Sequence, residues 1–295
     1  MTLESDFTSD HFAGDNARKN VLAIVGVGLL GGSVALAAKE RGIVDRVIGI
    51  GRNSGRLQAA VDAGVIDEFL TELPTSNAPW TIAVIGTPVD RIASDVLRIA
   101  AASRPGTVIT DVGSVKGSIC DAIAAKGLPN SVSFVGAHPL AGSEKTGFEA
   151  ARANLFEGRV TVVTPRPTDD QAAGIAIRQF WQQLGSQVVE MSPADHDAAV
   201  ATTSHLPHVV ASVVSAVLPD EFRQLAASGF RDTTRIAAGD PDLWVAILLE
   251  NATAVSASMA AFSESFGKFQ AAVKNGDADE LKKLLQLAKR NRDAL

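Results

Sequence analysis

Cysteine is almost missing from this chain. Cys120 is the single one among 295 residues, which excludes an internal disulfide framework. It falls in a predicted helix after Ser114-Val115-Lys116-Gly117 and reads as a small buried apolar residue. A strong excess of charge is missing too. The net charge of −6 leaves no basic footprint, so nucleic acid is not an expected partner. No apolar run reaches the roughly 20 residues of a membrane span. Residues 1–20 are polar and lack the apolar centre of a secretory signal. These absences predict a cytoplasmic protein without a membrane partner, beginning with a disordered polar tail over 1–20. Internal repeats and low-complexity segments are absent as well.

What is present begins at Val21-Leu22-Ala23-Ile24-Val25, an apolar run that enters Gly26-Val27-Gly28-Leu29-Leu30-Gly31-Gly32. A strand, a G-x-G-x-x-G turn and an alanine-rich helix start follow one another. The first glycine permits the tight turn, the second lets backbone approach a pyrophosphate, and the third lets helix pack on strand. Phosphate then meets the free N–H groups at the positive end of the helix. A second strand follows about 20 residues on, as this fingerprint requires. Gly26, Gly28, Leu29, Leu30 and Gly31 are therefore candidate cofactor-binding residues.

Further strands are predicted over 47–50, 81–85, 107–110, 133–135, 160–163 and 187–190. Helices are predicted over 31–41, 54–63, 89–101, 117–125 and 169–184. This alternation implies an α/β fold, a doubly wound parallel sheet of Rossmann type with helices on both faces. Beyond Ser192-Pro193-Ala194-Asp195 the strand signals vanish. Ser192 reads as an N-cap with Pro193 in the first helical position. The expected domains are 21–190, binding dinucleotide, and 191–295, all-helical. Long apolar helices over 204–218 and 243–262 need more burial than a thin bundle supplies, which points to a homodimer formed through the helical domain. A last helix over 278–290 carries Leu281, Leu284, Leu285 and Ala288 on one stripe.

The second strand ends in Ile50-Gly51-Arg52-Asn53-Ser54. A carboxylate that would bond the ribose 2′-hydroxyl of NAD is missing at Gly51. Arg52, beside Asn53, suits a 2′-phosphate instead. NADP is therefore expected in preference to NAD, against the alternative of a solvated arginine stacking on adenine. After the strand at 81–85, small Gly86 and Thr87 leave room for a cofactor, and Pro88 starts the next helix.

Two more strand ends carry chemistry. Asp111-Val112-Gly113-Ser114-Val115-Lys116 places a hydroxyl and a cation at a helix start, where Ser114 could also be a plain cap. Gly136-Ala137-His138-Pro139 places a histidine at a strand end, suited to proton transfer. In the helical region, Ser204-His205-Leu206-Pro207-His208 sets two histidines three apart. No cysteine or acidic cluster adjoins them, so polar substrate contacts are expected and no metal. Gly229-Phe230-Arg231-Asp232-Thr233-Thr234-Arg235 offers two guanidinium groups for a carboxylate, one of them expected to pair with Asp232.

Together these segments resemble the prephenate/arogenate dehydrogenase family of tyrosine biosynthesis, with Gly142 and Gly147 adding to the match. The resemblance runs from about residue 21 to 290 and stops short of the regulatory or mutase domains some members carry. It implies oxidative decarboxylation: hydride leaves the ring carbon bearing the hydroxyl, and the ring carboxylate departs as CO₂. By similarity, His138 accepts the hydroxyl proton, and Ser114 orients His138 and the nicotinamide. Arg235 holds a substrate carboxylate and His205 lines the substrate pocket, while Lys116 is a further substrate-binding candidate and His208 is either another or a structural neighbour. Trp244 reaches a neighbouring subunit's site or fills the interface. Prephenate is the expected substrate, with arogenate the alternative. Other Rossmann-plus-helical reductases lack this combination of motifs, and a non-catalytic nucleotide sensor would need no proton acceptor.

Overall fold

In the computed structural model, Val21–Val25 (β1) is the centre of the first sheet. The structure describes residues 20–129, 131–142 and 145–294. The predicted tail lies outside these residues except for Asn20, whose N–H donates to Asp45 Oδ2 at 2.7 Å. Ser143 and Glu144 of the glycine-rich segment also lie outside them.

Six parallel strands make the first sheet. In chain order they are β1, Arg46–Ile50 (β2), Glu68–Leu70 (β3), Ile82–Ile85 (β4), Val108–Asp111 (β5) and Ser133–Phe134 (β6). Their spatial order is β3-β2-β1-β4-β5-β6. Along β1, Leu22 and Ile24 face one apolar core, while Val21, Ala23 and Val25 face the other. A strand covered on both faces reads as an unbroken apolar run, the usual mark of a parallel sheet. Helices Leu29–Glu40 (α1), Ser54–Asp62 (α2), Val89–Ala102 (α3), Gly117–Lys126 (α4) and Gln171–Gln183 (α5) complete the α/β pattern. Cys120 is buried in α4, and burial pushes its thiol up to about 12.

A second sheet was not foreseen. Gly136–Pro139 (β7) pairs antiparallel with Val160–Thr164 (β8), and β8 pairs parallel with Gln187–Glu190 (β9). One extended segment thus serves both sheets. The Val135 N–H still donates to the Ile109 carbonyl at 2.9 Å. Two residues on, the Ala137 N–H meets the side chain of Asp111, Oδ1 at 3.1 Å, where a further backbone rung would lie. That carboxylate releases β7 from β5 while keeping its N–H satisfied. His138 therefore sits inside a strand, opposite Val162, and not at a strand end.

After β9, Ser192 caps Pro193–Val200 (α6) as expected: its Oγ accepts the Asp195 N–H at 3.1 Å. The chain forms two compact units. The first runs through Asp197 and also takes in Gly239–Glu250; the second comprises Ala198–Ala238 and the chain from Asn251 onward. Residues 191–197 stay with the first unit because Asp197 binds the start of α4. Pro241–Glu250 (α9) joins it because Ile247, Trp244 and Ala246 pack on the core around α3.

The second unit is helical. A π-helical turn, Ala201–His205, runs into Leu206–Ala216 (α7), then Ser228–Thr234 (α8), Ala252–Asn275 (α10) and Ala278–Asp293 (α11). The helix expected over 243–262 is broken at Asn251, whose backbone (φ −112°, ψ 29°) leaves the helical region. Among the described residues, no single helix is long and apolar enough to cross a membrane.

Candidate active site

The glycine turn has the geometry a dinucleotide requires. Gly26 has φ +88°, and a Cβ there would lie 2.8 Å from the Gly86 carbonyl. Around Gly28 the space for a Cβ is open. Gly28 is also the N-cap of α1 and supplies no side-chain cap, so the first N–H groups of α1, at Leu29, Leu30 and Gly31, remain available to an anion. At the end of β4, Thr87 Oγ1 is enclosed without a hydrogen-bond partner among the described residues, and Pro88 is the N-cap of α3. A buried hydroxyl left unsatisfied beside an open glycine cradle fits a nicotinamide dinucleotide. Beyond β2, the Asn53 side chain accepts the Arg56 N–H at 3.0 Å and caps α2. Arg52 before it is exposed.

At the end of β5 the sequence expectations change. Lys116, expected to touch substrate, is wholly enclosed. Its ammonium pairs with Asp111 Oδ2 and donates to the Ala137 carbonyl at 2.8 Å. Asp111 Oδ2 also accepts the Gly113 N–H at 2.9 Å. Lys116 is therefore a buried brace beneath β7, with no surface for a ligand. Ser114 is half-buried in the preceding turn but does not cap α4. That role falls to Asp197, which accepts the Lys116 and Gly117 N–H groups at 2.8 Å each.

His138, half-buried on β7, has its Nδ1 2.9 Å from His196 Nε2. That nitrogen is thus held by a residue outside the sequence candidates. His196 is fully buried, and its Nδ1 lies 2.8 Å from Asp197 Oδ1. Burial alone would raise the Asp197 carboxyl. The bonds from His196 and the two backbone N–H groups outweigh burial and hold it below the usual carboxylate value. The overlooked signal was Asp195-His196-Asp197 directly after the Ser192 cap, a histidine between carboxylates at a helix start.

In the second unit, His205 closes the π-helical turn and is buried. Its Nδ1 lies 3.2 Å from Asn251 Nδ2. Such turns are frequent at functional sites. His208 is buried on α7, and burial lowers its pKa. Arg235 opens the 3₁₀ turn Arg235–Ala238, which packs on α7. Its side chain is exposed, and among the described residues it has no ion-pair partner. Neither arginine of this segment pairs with Asp232; Arg231 Nε donates to the Ala226 carbonyl at 3.0 Å.

Family models match both parts of the chain. The nucleotide-binding domain of prephenate dehydrogenase matches residues 34–190, and the dimerization domain of prephenate dehydrogenase matches residues 192–287. This chain belongs to the prephenate dehydrogenase family. As a member it is a nicotinamide-dependent dehydrogenase that carries the family's dimerization domain. A prephenate dehydrogenase of Bacillus subtilis strain 168 is 34% identical over 287 residues, covering 95% of this chain and 77% of the relative. The Aquifex aeolicus prephenate dehydrogenase, solved with hydroxyphenyl propionate and NAD+, superposes with a TM-score of 0.83. It is 29% identical, with coverage of 95% of this chain and 100% of that one. An arogenate dehydrogenase of Synechocystis has a TM-score of 0.80 at 30% identity, covering 93% of this chain and 99% of that one.

Proposed function

We propose that this prephenate dehydrogenase family member converts prephenate to 4-hydroxyphenylpyruvate, with CO₂ and reduced nicotinamide as the other products. The observation that carries the reading is His138. It is a half-buried imidazole on β7, braced at the carboxyl edge of the parallel sheet, in a chain 34% identical to a prephenate dehydrogenase over 95% of its length. A nicotinamide dinucleotide held at the Gly26–Gly31 turn would supply the hydride acceptor. His138 takes the proton of the ring hydroxyl as the carbonyl begins to form, and loss of the ring carboxylate then gives the aromatic ring, whose oxygen regains a proton. His138 must be neutral for this step, so activity requires a pH above its titration. Ser114, in the turn after β5, contacts the nicotinamide or the substrate hydroxyl. Arg235 binds a substrate carboxylate, and His205 and His208 serve the side chain of the substrate. Within this reading residues 21–190 bind the dinucleotide, and residues 191–295 bind substrate and form a homodimer. Exposed Val213, Val217, Leu225, Phe266 and Val273 in the second unit support a partner copy.

NADP is the preferred cofactor in this reading. Gly51 removes the carboxylate that would repel a 2′-phosphate, and Arg52 supplies an exposed guanidinium before α2. Arogenate is the second substrate to weigh, because the Synechocystis neighbour acts on it by name and is equally similar. The test is reduced-cofactor formation at 340 nm with prephenate and arogenate, each with NADP and NAD. Turnover of prephenate supports the proposal. Turnover of arogenate alone moves the assignment to that substrate, and no reduction in any mixture by folded, NADPH-binding protein refutes both.

A further inference from the structure

A neutral imidazole has one N–H and one bare nitrogen, and a carboxylate only accepts. With both rings neutral, these two rules assign the protons along the chain His138–His196–Asp197. Asp197 accepts at both oxygens from the start of α4 and lies 2.8 Å from His196 Nδ1. His196 Nδ1 therefore carries a proton, and neutral His196 has a bare Nε2. His138 Nδ1, 2.9 Å from that bare nitrogen, must be the donor. We propose that His196 and Asp197 are positioning residues that hold His138 in its Nδ1–H tautomer, so that Nε2 is the nitrogen that accepts the substrate proton. This rests on His138 being the proton acceptor of the proposed function.

The relay closes on itself. Asp197 holds the backbone N–H of Lys116, and the Lys116 ammonium holds the carbonyl of Ala137, the residue before His138. One ring of hydrogen bonds thus sets both the position of β7 and the tautomer of its histidine. When His138 gains a proton, the Asp197 carboxylate faces the new charge across His196. The packed elements also carry the Asp111–Lys116 pair, whose charges offset each other, Asp195, bonded to the Ser192 hydroxyl at 2.6 Å, and Asp121 and Lys126 further along α4. β8 contributes no titratable side chain.

The direct test is ¹⁵N NMR of histidine-labelled, ligand-free protein at pH 8, with the five histidines assigned through single substitutions. The expected result is protonated Nδ1 and bare Nε2 at both His138 and His196. A protonated Nε2 at His138 overturns the proposal. Because no substrate is present, this outcome is independent of the turnover assay; an Nδ1–H tautomer in protein inactive on both substrates would refute the proposed function and leave the tautomer assignment standing. The kinetic arm uses His196→Phe, which keeps a ring but removes the acceptor, and His196→Gln, which keeps an acceptor oxygen. His196→Phe should lower kcat by ~10–100-fold with KM nearly unchanged and should move the acid limb of the pH profile to lower pH. His196→Gln should recover part of the rate. Wild-type kcat in His196→Phe, or an equal loss at every pH with no recovery in His196→Gln, contradicts a positioning role.

Discussion

His138 and His196 meet edge to face, with ring centroids 5.1 Å apart and planes at 73°. The contact joins β7 of the second sheet to α6, and Asp197 carries it on to the first turn of α4. The histidine assigned to chemistry is thus held through side chains by two other elements of its unit. Such support fixes the direction of a lone pair, which a proton acceptor needs as much as a suitable pKa.

Lys116 tests the structural part of the account. Its ammonium and the Asp111 carboxylate are both fully enclosed, and removing one partner strands the other charge. Lys116→Met should destabilise the protein by about 3–5 kcal/mol, read as a lower urea midpoint. Unchanged stability with a raised KM would return Lys116 to the substrate pocket.

Arg235 tests substrate recognition. An exposed guanidinium without an ion-pair partner among the described residues is available to a carboxylate. Arg235→Ala should raise KM for prephenate, corresponding to about 2–5 kcal/mol of lost binding, with a much smaller change in kcat. An unaltered KM places the carboxylate contact elsewhere.

Arg52 tests cofactor choice. Arg52→Ala should lower kcat/KM for NADP by ~10-fold or more, as expected for one charge-assisted hydrogen bond, and leave NAD nearly unaffected. Equal use of both cofactors by the unaltered enzyme contradicts the 2′-phosphate reading.

His208 tests pH-dependent stability. Burial lowers its pKa from 6.5, so the unfolded chain binds this proton more readily than the folded one. Its contribution is complete above pH 6.5 and is lost as pH falls from there toward the lower folded-state value. The thermal midpoint should therefore drop between pH 7 and 5, and His208→Gln should flatten that slope. Superimposable slopes contradict the assignment.

Much of the dinucleotide-binding half was legible because its signals are local. β1 reads as an apolar run since both of its faces are covered, and the Gly26–Gly31 turn is written in spacing alone. β3 escaped notice because Glu68-Phe69-Leu70 is too short to show a period. β7 escaped because Gly136-Ala137-His138-Pro139 has no strand pattern; pairing with β8 and the Asp111 side chain make it a strand. Asn251 breaks a helix without glycine or proline, through a contact to His205 that is 46 residues distant. His196 lies within α6 and acquires its role only when the chain brings it to β7. Local chemistry announced the cofactor, whereas the groups that hold His138 depend on long-range contacts.

The most direct test of the central claim is the rate of His138→Asn with prephenate and saturating cofactor, measured beside its NADPH affinity. The expected result is a kcat reduced by ~10²–10⁴-fold with cofactor affinity nearly intact. An undiminished kcat would remove His138 from the chemistry and with it the reading of this site.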